Sequence, residues 1–259
     1  MKSLISKIIS SKKNDATYII SYPKTGRTWL RALIGFYLQK AYNLTEDIVL
    51  DTEKIAQESG LAPVKFSHNG SQMTSKNSYK IFIGAKNNYK NKKVILLSRN
   101  IKDTLVSAFF QATKRINVFD GEISEFVRSD YYGAQKILSF YQNWYINKEL
   151  PKQFLFITYE DLHANTEKVL EQVLKFIGID EPDKNFIKDA IEMSSFENLK
   201  KAEKDNKFNN EILAPADQKE PENYKVRKGK VNNYYEYLSE EDIQYIDKQL
   251  EIYANPFVS

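Results

Sequence analysis

Three short runs of apolar, β-branched and aromatic residues punctuate an otherwise polar chain, at Thr17–Ser21, Val94–Ser98 and Phe154–Thr158. Runs of this length and composition predict buried strands. Each is followed by apolar positions at helical spacing, over Thr28–Gln39, Ile101–Thr113 and Thr166–Ile177, the last with Val169, Leu170, Val173, Leu174 and Ile177 on one stripe. Strand alternating with helix predicts an α/β fold: a central parallel sheet flanked by helices on both faces. Residues 115–150 form a long insertion that is rich in aromatics, among them Phe119, Tyr131, Tyr132 and Trp144. The pattern predicts helices there that form a lid or pocket wall. The segment Lys200–Lys225 is polar and without periodicity, which predicts a mobile loop, and it leads into a flap that ends near residue 230. A last amphipathic pattern, about Glu240 to Tyr253, puts Ile243, Ile246, Leu250 and Tyr253 on one face.

Composition narrows the class. The chain has 259 residues and is 42% hydrophobic, enough for one large core and short for two, so a single domain over 1–259 is expected. Charged residues nearly cancel, leaving +4, and the isoelectric point is about 8.8. That balance is too mild to indicate nucleic acid and suits an anionic small ligand. There is no cysteine and there are two histidines, which excludes disulfides and thiolate or histidine-rich metal sites and makes a metal-free mechanism the expectation. Lys7 breaks the apolar start, no small-residue cleavage site follows, and no stretch nears the roughly 20 apolar residues that span a bilayer. A cytoplasmic protein with no stable membrane insertion is expected.

The chemistry concentrates in Tyr22-Pro-Lys-Thr-Gly-Arg-Thr-Trp29, which joins the first predicted strand to its helix. Such a turn exposes backbone N–H groups beside the positive end of the helix dipole and attracts an oxyanion. Gly26 permits close approach, Thr25 and Thr28 add hydroxyl donors, and Lys24 adds a point charge. The loop resembles a phosphate loop without the Walker pattern, because its lysine precedes its glycine. An ordinary strand-to-helix turn is the bland alternative.

These residues resemble the cytosolic-type sulfotransferases, which use 3′-phosphoadenosine 5′-phosphosulfate (PAPS). Tyr22–Trp29 is similar to their 5′-phosphosulfate loop, with Arg27 in place of the usual threonine. Ser98-Arg-Asn-Ile-Lys-Asp-Thr-Leu-Val-Ser107 is similar to their 3′-phosphate motif. Tyr131-Tyr-Gly-Ala134, Trp144, Tyr159-Glu-Asp-Leu162, Ser194-Ser-Phe-Glu-Asn-Leu199 and Arg227-Lys-Gly229 follow in the family's order. The resemblance runs from about residue 17 to residue 235.

It implies that Lys24, Thr25, Gly26, Arg27 and Thr28 bind the 5′-phosphosulfate, and that Trp29 and Phe196 bracket adenine with polar contacts from Ser194 and Tyr159. Arg99, Ser107, Arg227, Lys228 and Gly229 surround the 3′-phosphate. Lys24 stabilises charge on the leaving oxygen. His68 matches the family's catalytic histidine, which takes the acceptor proton. The chain reads Lys65-Phe-Ser-His68 where the family commonly reads Lys-Thr-His, so Lys65 carries over poorly. His163 matches no catalytic position and is expected at the surface.

The implied activity is sulfuryl transfer from PAPS to an acceptor hydroxyl of a small molecule, natural product or glycan. Acceptor preference is expected in the 115–150 insertion, with Phe119, Tyr131, Tyr132 and Trp144 as the candidate wall, and in the loop near residues 68–90; Lys86, Lys90, Lys92 and Lys93 are candidates for steering an acidic glycan. A P-loop-like kinase needing ATP and magnesium, and a non-enzymatic nucleotide- or RNA-binding protein, are the competing classes.

Overall fold

The computed structural model describes residues 16–75, 78, 84, 86–209, 211–213 and 231–258. Four parallel strands form one sheet in the order β2-β1-β3-β4, with β1 at Thr17–Ser21, β2 at Val64–Ser67, β3 at Lys93–Ser98 and β4 at Gln153–Thr158. Each of the three predicted strands is present to within a residue. The strand β2 was not anticipated: Val-Lys-Phe-Ser is short and half polar, as suits a sheet edge.

Alternate side chains of the strands feed two cores. Ile19, Ile95, Leu97 and Ile157 pack with α1 (Arg27–Ala41), α7 (Thr166–Ile177) and α8 (Lys184–Met193), through residues such as Leu33, Leu170 and Ile187. Ile20, Val94 and Leu96 face the other way, onto α3 (Ile101–Phe110), α5 (Ala134–Ile146) and α10 (Glu240–Ile252) through Leu105, Tyr141 and Ile246. A period of two in each strand therefore places helices on both sides of the sheet. Shorter helices complete the path: α2 at Thr52–Glu58, α4 at Ile123–Arg128, α6 at Tyr159–Ala164 and α9 at Phe196–Lys204. In α10, Ser239 and Asp242 form a capping box, and Ile243, Leu250 and Tyr253 pack beside Ile246 as their spacing predicts.

Two predicted boundaries shift. The helix expected over Ile101–Thr113 is α-helical to Phe110 and then widens into a π-helical turn over Gln111–Arg115, where the Thr113 hydroxyl donates to the Phe109 carbonyl at 2.9 Å. The segment expected to be a mobile loop from Lys200 begins as helix, because Ser195 caps α9 and Leu199 and Ala202 are buried against the first core. Among the described residues no helix is long and apolar enough to cross a membrane.

The aromatic insertion turns inward on itself. Trp144 is 0% exposed and packs edge-on to Tyr89 in the second core; Tyr132 stacks on Phe126, meets Phe119 at 5.8 Å, and donates its hydroxyl to the Val118 carbonyl. Tyr131 is 49% exposed at the surface. The buried rings thus spend their faces on core packing.

Candidate active site

Because all four strands run the same way, their carboxyl ends share one edge of the sheet. The chain leaves β1 toward β2 on one side and returns to β3 on the other, so the β1 and β3 ends flank a topological switch point, where open α/β sheets bind ligands. A cavity of about 540 Å³ opens there. It is lined by Lys24, Gly26, Arg27, Thr28 and Trp29 after β1, His68 after β2, Arg99 and Ser107 after β3, and Tyr159 after β4. Ser194 and Phe196, from the α8–α9 junction, close it.

The loop after β1 is shaped for an anion. Lys24 and Gly26 both take left-handed backbone conformations, at φ 73° and φ 92°. Gly26 is the N-cap residue of α1; among the described residues no side chain caps this helix, and no acidic residue lies in its first turn. By contrast Asn100, Thr158, Asn165 and Ser195 cap α3, α6, α7 and α9 with their side chains. The amides at the start of α1 are thus left for a ligand, with the helix dipole behind them. A Cβ on Gly26 would overlap the Tyr159 ring, so glycine is required by space as well as by φ.

Positive charge surrounds this turn. Burial, with the neighbouring Arg31 charge, pulls Arg27 down to about 10, which still leaves it cationic at neutral pH. The Arg99 guanidinium lies over the Tyr159 ring at 4.6 Å and donates through Nη1 to the Lys24 carbonyl at 3.2 Å. Residues 75 positions apart are thereby locked into one wall. The Lys24 ammonium donates to Gln111 Oε1 at 3.3 Å, placing the π-helical turn against the loop. Arg115, at the end of that turn, pairs with the fully buried Glu203 of α9 at 3.2 Å.

Thr25 departs from expectation. Its hydroxyl is buried and donates to the Tyr22 carbonyl at 2.9 Å, so it closes the loop rather than facing the cavity. Trp29 and Tyr159 meet edge to face at 5.7 Å, and burial raises the Tyr159 hydroxyl above its ordinary value although Arg99 opposes this. Ser194 lines the cavity, and its buried hydroxyl has no hydrogen-bond partner among the described residues. His163 is exposed, as expected, at the cavity rim.

His68 is fixed by its backbone partner. Its Nδ1 lies 2.9 Å from the Ser21 carbonyl oxygen, which can only accept, so Nδ1 carries a proton, and in the neutral ring the lone pair is then on Nε2.

The acceptor wall read from sequence is not built as expected. Of the described residues in the 115–150 insertion, Ile116 lines the cavity; Phe119, Tyr131, Tyr132 and Trp144 do not. Gln72, Met73 and Thr74, in the loop near residues 68–90 that was expected to share in acceptor preference, do line it. None of Lys86, Lys90, Lys92 and Lys93 lines the cavity; Lys86 sits over Trp144, and Lys93 donates to the Phe176 carbonyl. Lys65 points to Glu53, 2.7 Å away, outside the cavity. Arg227, Lys228 and Gly229 lie outside the described residues. Gln111, Thr166, Ile191 and Asn233 also line the cavity and carry no local sequence signal.

Comparison with known proteins gives the family. The chain is 24% identical over 266 residues to flavonol 4′-sulfotransferase of Flaveria chlorifolia, covering 92% of this chain and 78% of that one. It is 26% identical over 258 residues to flavonol 3-sulfotransferase of Flaveria bidentis, with 92% and 81% covered. A mouse sulfotransferase solved with PAP superposes with a TM-score of 0.65 at 21% identity, covering 94% of this chain and 85% of that one. A retinol dehydratase solved with androsterone and PAP gives 0.64 at 17% identity, with 94% and 82% covered, and both show the shared fold. The sulfotransferase domain model matches residues 14–252, nearly the whole chain, and the chain belongs to the sulfotransferase family.

Proposed function

We propose that this chain transfers a sulfuryl group from PAPS to an acceptor hydroxyl. The observation that carries this reading is the union, in one cavity, of the uncapped start of α1 with Lys24 and Arg27, the Arg99 and Ser107 pair, and the Nε2 lone pair of His68. The donor set fits such a nucleotide. Backbone amides and cations stand where an anion needs them, the buried Ser194 hydroxyl has no partner among the described residues, and Trp29 and Phe196 offer aromatic faces.

PAPS, when bound, supplies the sulfuryl group. Lys24, Gly26, Arg27 and Thr28 hold the 5′ end, and Arg99 with Ser107 holds the 3′-phosphate; we assign Arg227, Lys228 and Gly229 to the same phosphate on the family resemblance alone. His68 Nε2 takes the acceptor proton, and the Ser21 carbonyl keeps its ring in register for that transfer. Lys24 brings a positive charge to the place where negative charge develops, the arrangement that commonly lowers a barrier by about 3 to 4 kcal/mol per donor.

The acceptor is a small molecule bearing a hydroxyl, on the reading that relatives named for flavonols cover 92% of the chain. A cytosolic setting accords with the relatives named cytosolic sulfotransferases. Calorimetric titration with adenosine 3′,5′-bisphosphate, AMP and magnesium-ATP tests the donor site, and a sulfation screen of phenols, alcohols and glycans tests the acceptor. Tight binding that depends on the 3′-phosphate is expected; preference for ATP would return the chain to a kinase reading.

A further inference from the structure

One buried carboxylate joins the two sides of this cavity; it is the aspartate of the segment similar to the 3′-phosphate motif, and the resemblance gives it no role. Asp103, in the first turn of α3, is 2% exposed. Its Oδ1 accepts the N–H groups of Asn233 at 2.8 Å and Tyr234 at 3.1 Å, and its Oδ2 accepts that of Asn232 at 2.8 Å. Oδ2 also lies 3.7 Å from Arg99 Nη2. Three successive amides and one guanidinium thus converge on a single side chain.

Three amides in a row can turn toward one anion because Asn232 takes a left-handed conformation at φ 59°. This chain segment comes from 129 to 131 positions away in sequence, begins three positions after Gly229 of Arg227-Lys-Gly229, and contributes Asn233 to the cavity wall. Arg99 is in turn held from three directions, by Asp103, by the Lys24 carbonyl and by the Tyr159 ring. A carboxylate beside an arginine opposes phosphate binding by charge alone. Here both of its oxygens are engaged by amides at closer range than the arginine, so its main effect is to orient.

We propose that Asp103 is a positioning residue for 3′-phosphate recognition: it aims Arg99 into the cavity and clamps Asn232, Asn233 and Tyr234 against the cavity wall without touching the ligand itself. The proposal rests on reading the cavity as a site for a 3′-phosphorylated adenine nucleotide.

The test is calorimetry of the wild-type chain and Asp103→Asn with adenosine 3′,5′-bisphosphate and with AMP. Hydrogen exchange of the wild-type amides at Asn232–Tyr234 is followed with each nucleotide. The wild type is expected to prefer the bisphosphate at least tenfold. Asp103→Asn should lose about tenfold for the bisphosphate and hold AMP within twofold, and in the wild type the bisphosphate alone should slow exchange at the three amides. A variant that keeps the preference, or loses both nucleotides equally as a merely structural role requires, overturns the proposal and leaves the donor site standing. A wild type without the preference overturns the donor-site reading and this proposal with it. If the variant does not fold, the exchange measurement decides, since bisphosphate and AMP giving equal protection also overturns the proposal.

Discussion

His68 Nδ1 is hydrogen-bonded to the carbonyl oxygen of Ser21 at 2.9 Å, so the last residue of one strand sets the tautomer of a histidine that follows its neighbour. The bond orients the imidazole with Nδ1 toward the sheet, and in the neutral ring the basic electron pair is then on Nε2. On the proposed reaction, His68→Ala removes the proton acceptor and nothing that holds the nucleotide. Turnover is expected to fall by about 100-fold or more, the usual yield of a positioned base, with bisphosphate affinity nearly unchanged. Single-turnover sulfation beside calorimetry checks both halves, and near-normal turnover removes His68 as the base.

Gly26 and Gly60 separate two effects of adding a methyl group. Both have positive φ, 92° and 73°, but a Cβ at Gly26 would meet the Tyr159 ring whereas one at Gly60 meets nothing within 4 Å. Gly60→Ala should cost about 1 kcal/mol from backbone strain alone. Gly26→Ala should cost roughly 2 kcal/mol or more, since ring and loop must separate, and should weaken nucleotide binding over tenfold. Urea denaturation of both variants, with titration, compares them; equal losses would show that the Tyr159 contact is inconsequential.

Arg99 links the loop carbonyl of Lys24 to the proposed 3′-phosphate site. A charge-assisted bond to phosphate contributes roughly 1.5 to 3 kcal/mol, so Arg99→Ala should weaken the bisphosphate 10- to 100-fold. AMP should be affected much less, through the loosened loop. Equal losses for the two nucleotides would place Arg99 in the scaffold instead.

Lys136 is fully buried, its ammonium has no hydrogen-bond partner among the described residues, and the Tyr132 ring lies 5.9 Å away. Burial pulls it from 10.5 down to about 8. Between these values the unfolded chain binds a proton that the folded chain does not, so this group makes stability rise with pH from about 8 to 10.5. Lys136→Met removes the desolvation penalty and should stabilise the fold at pH 7 by roughly 2 kcal/mol. The gain should shrink by pH 10. Denaturation midpoints at both pH values test this, and a variant less stable at pH 7 would mean that the amine has a partner in the working protein.

The legible parts of this protein are those written in neighbouring residues. Three strands were visible because consecutive apolar residues mark a buried strand, and the phosphate-type loop because a helix start needs its lysine, glycine and threonine close together in sequence. The strand β2 escaped because an edge strand needs no apolar run, and α9 because a polar helix hides in a polar segment until Leu199 and Ala202 find the core.

The sequence by itself determined the strand and helix alternation, the family resemblance and the residues most suited to grip phosphate. Tertiary structure decided which way side chains face: Tyr132 and Trp144 are buried in the core, Tyr131 lies at the surface, and Met73 and Ile116 are the apolar residues of these segments that line the cavity. It also decided the long-range bonds, His68 to Ser21 and Asp103 to Asn232, Asn233 and Tyr234. Periodicity reports only that a residue is buried or exposed locally. The partner a buried polar group meets depends on how segments far apart in the chain come together, and no local pattern encodes that.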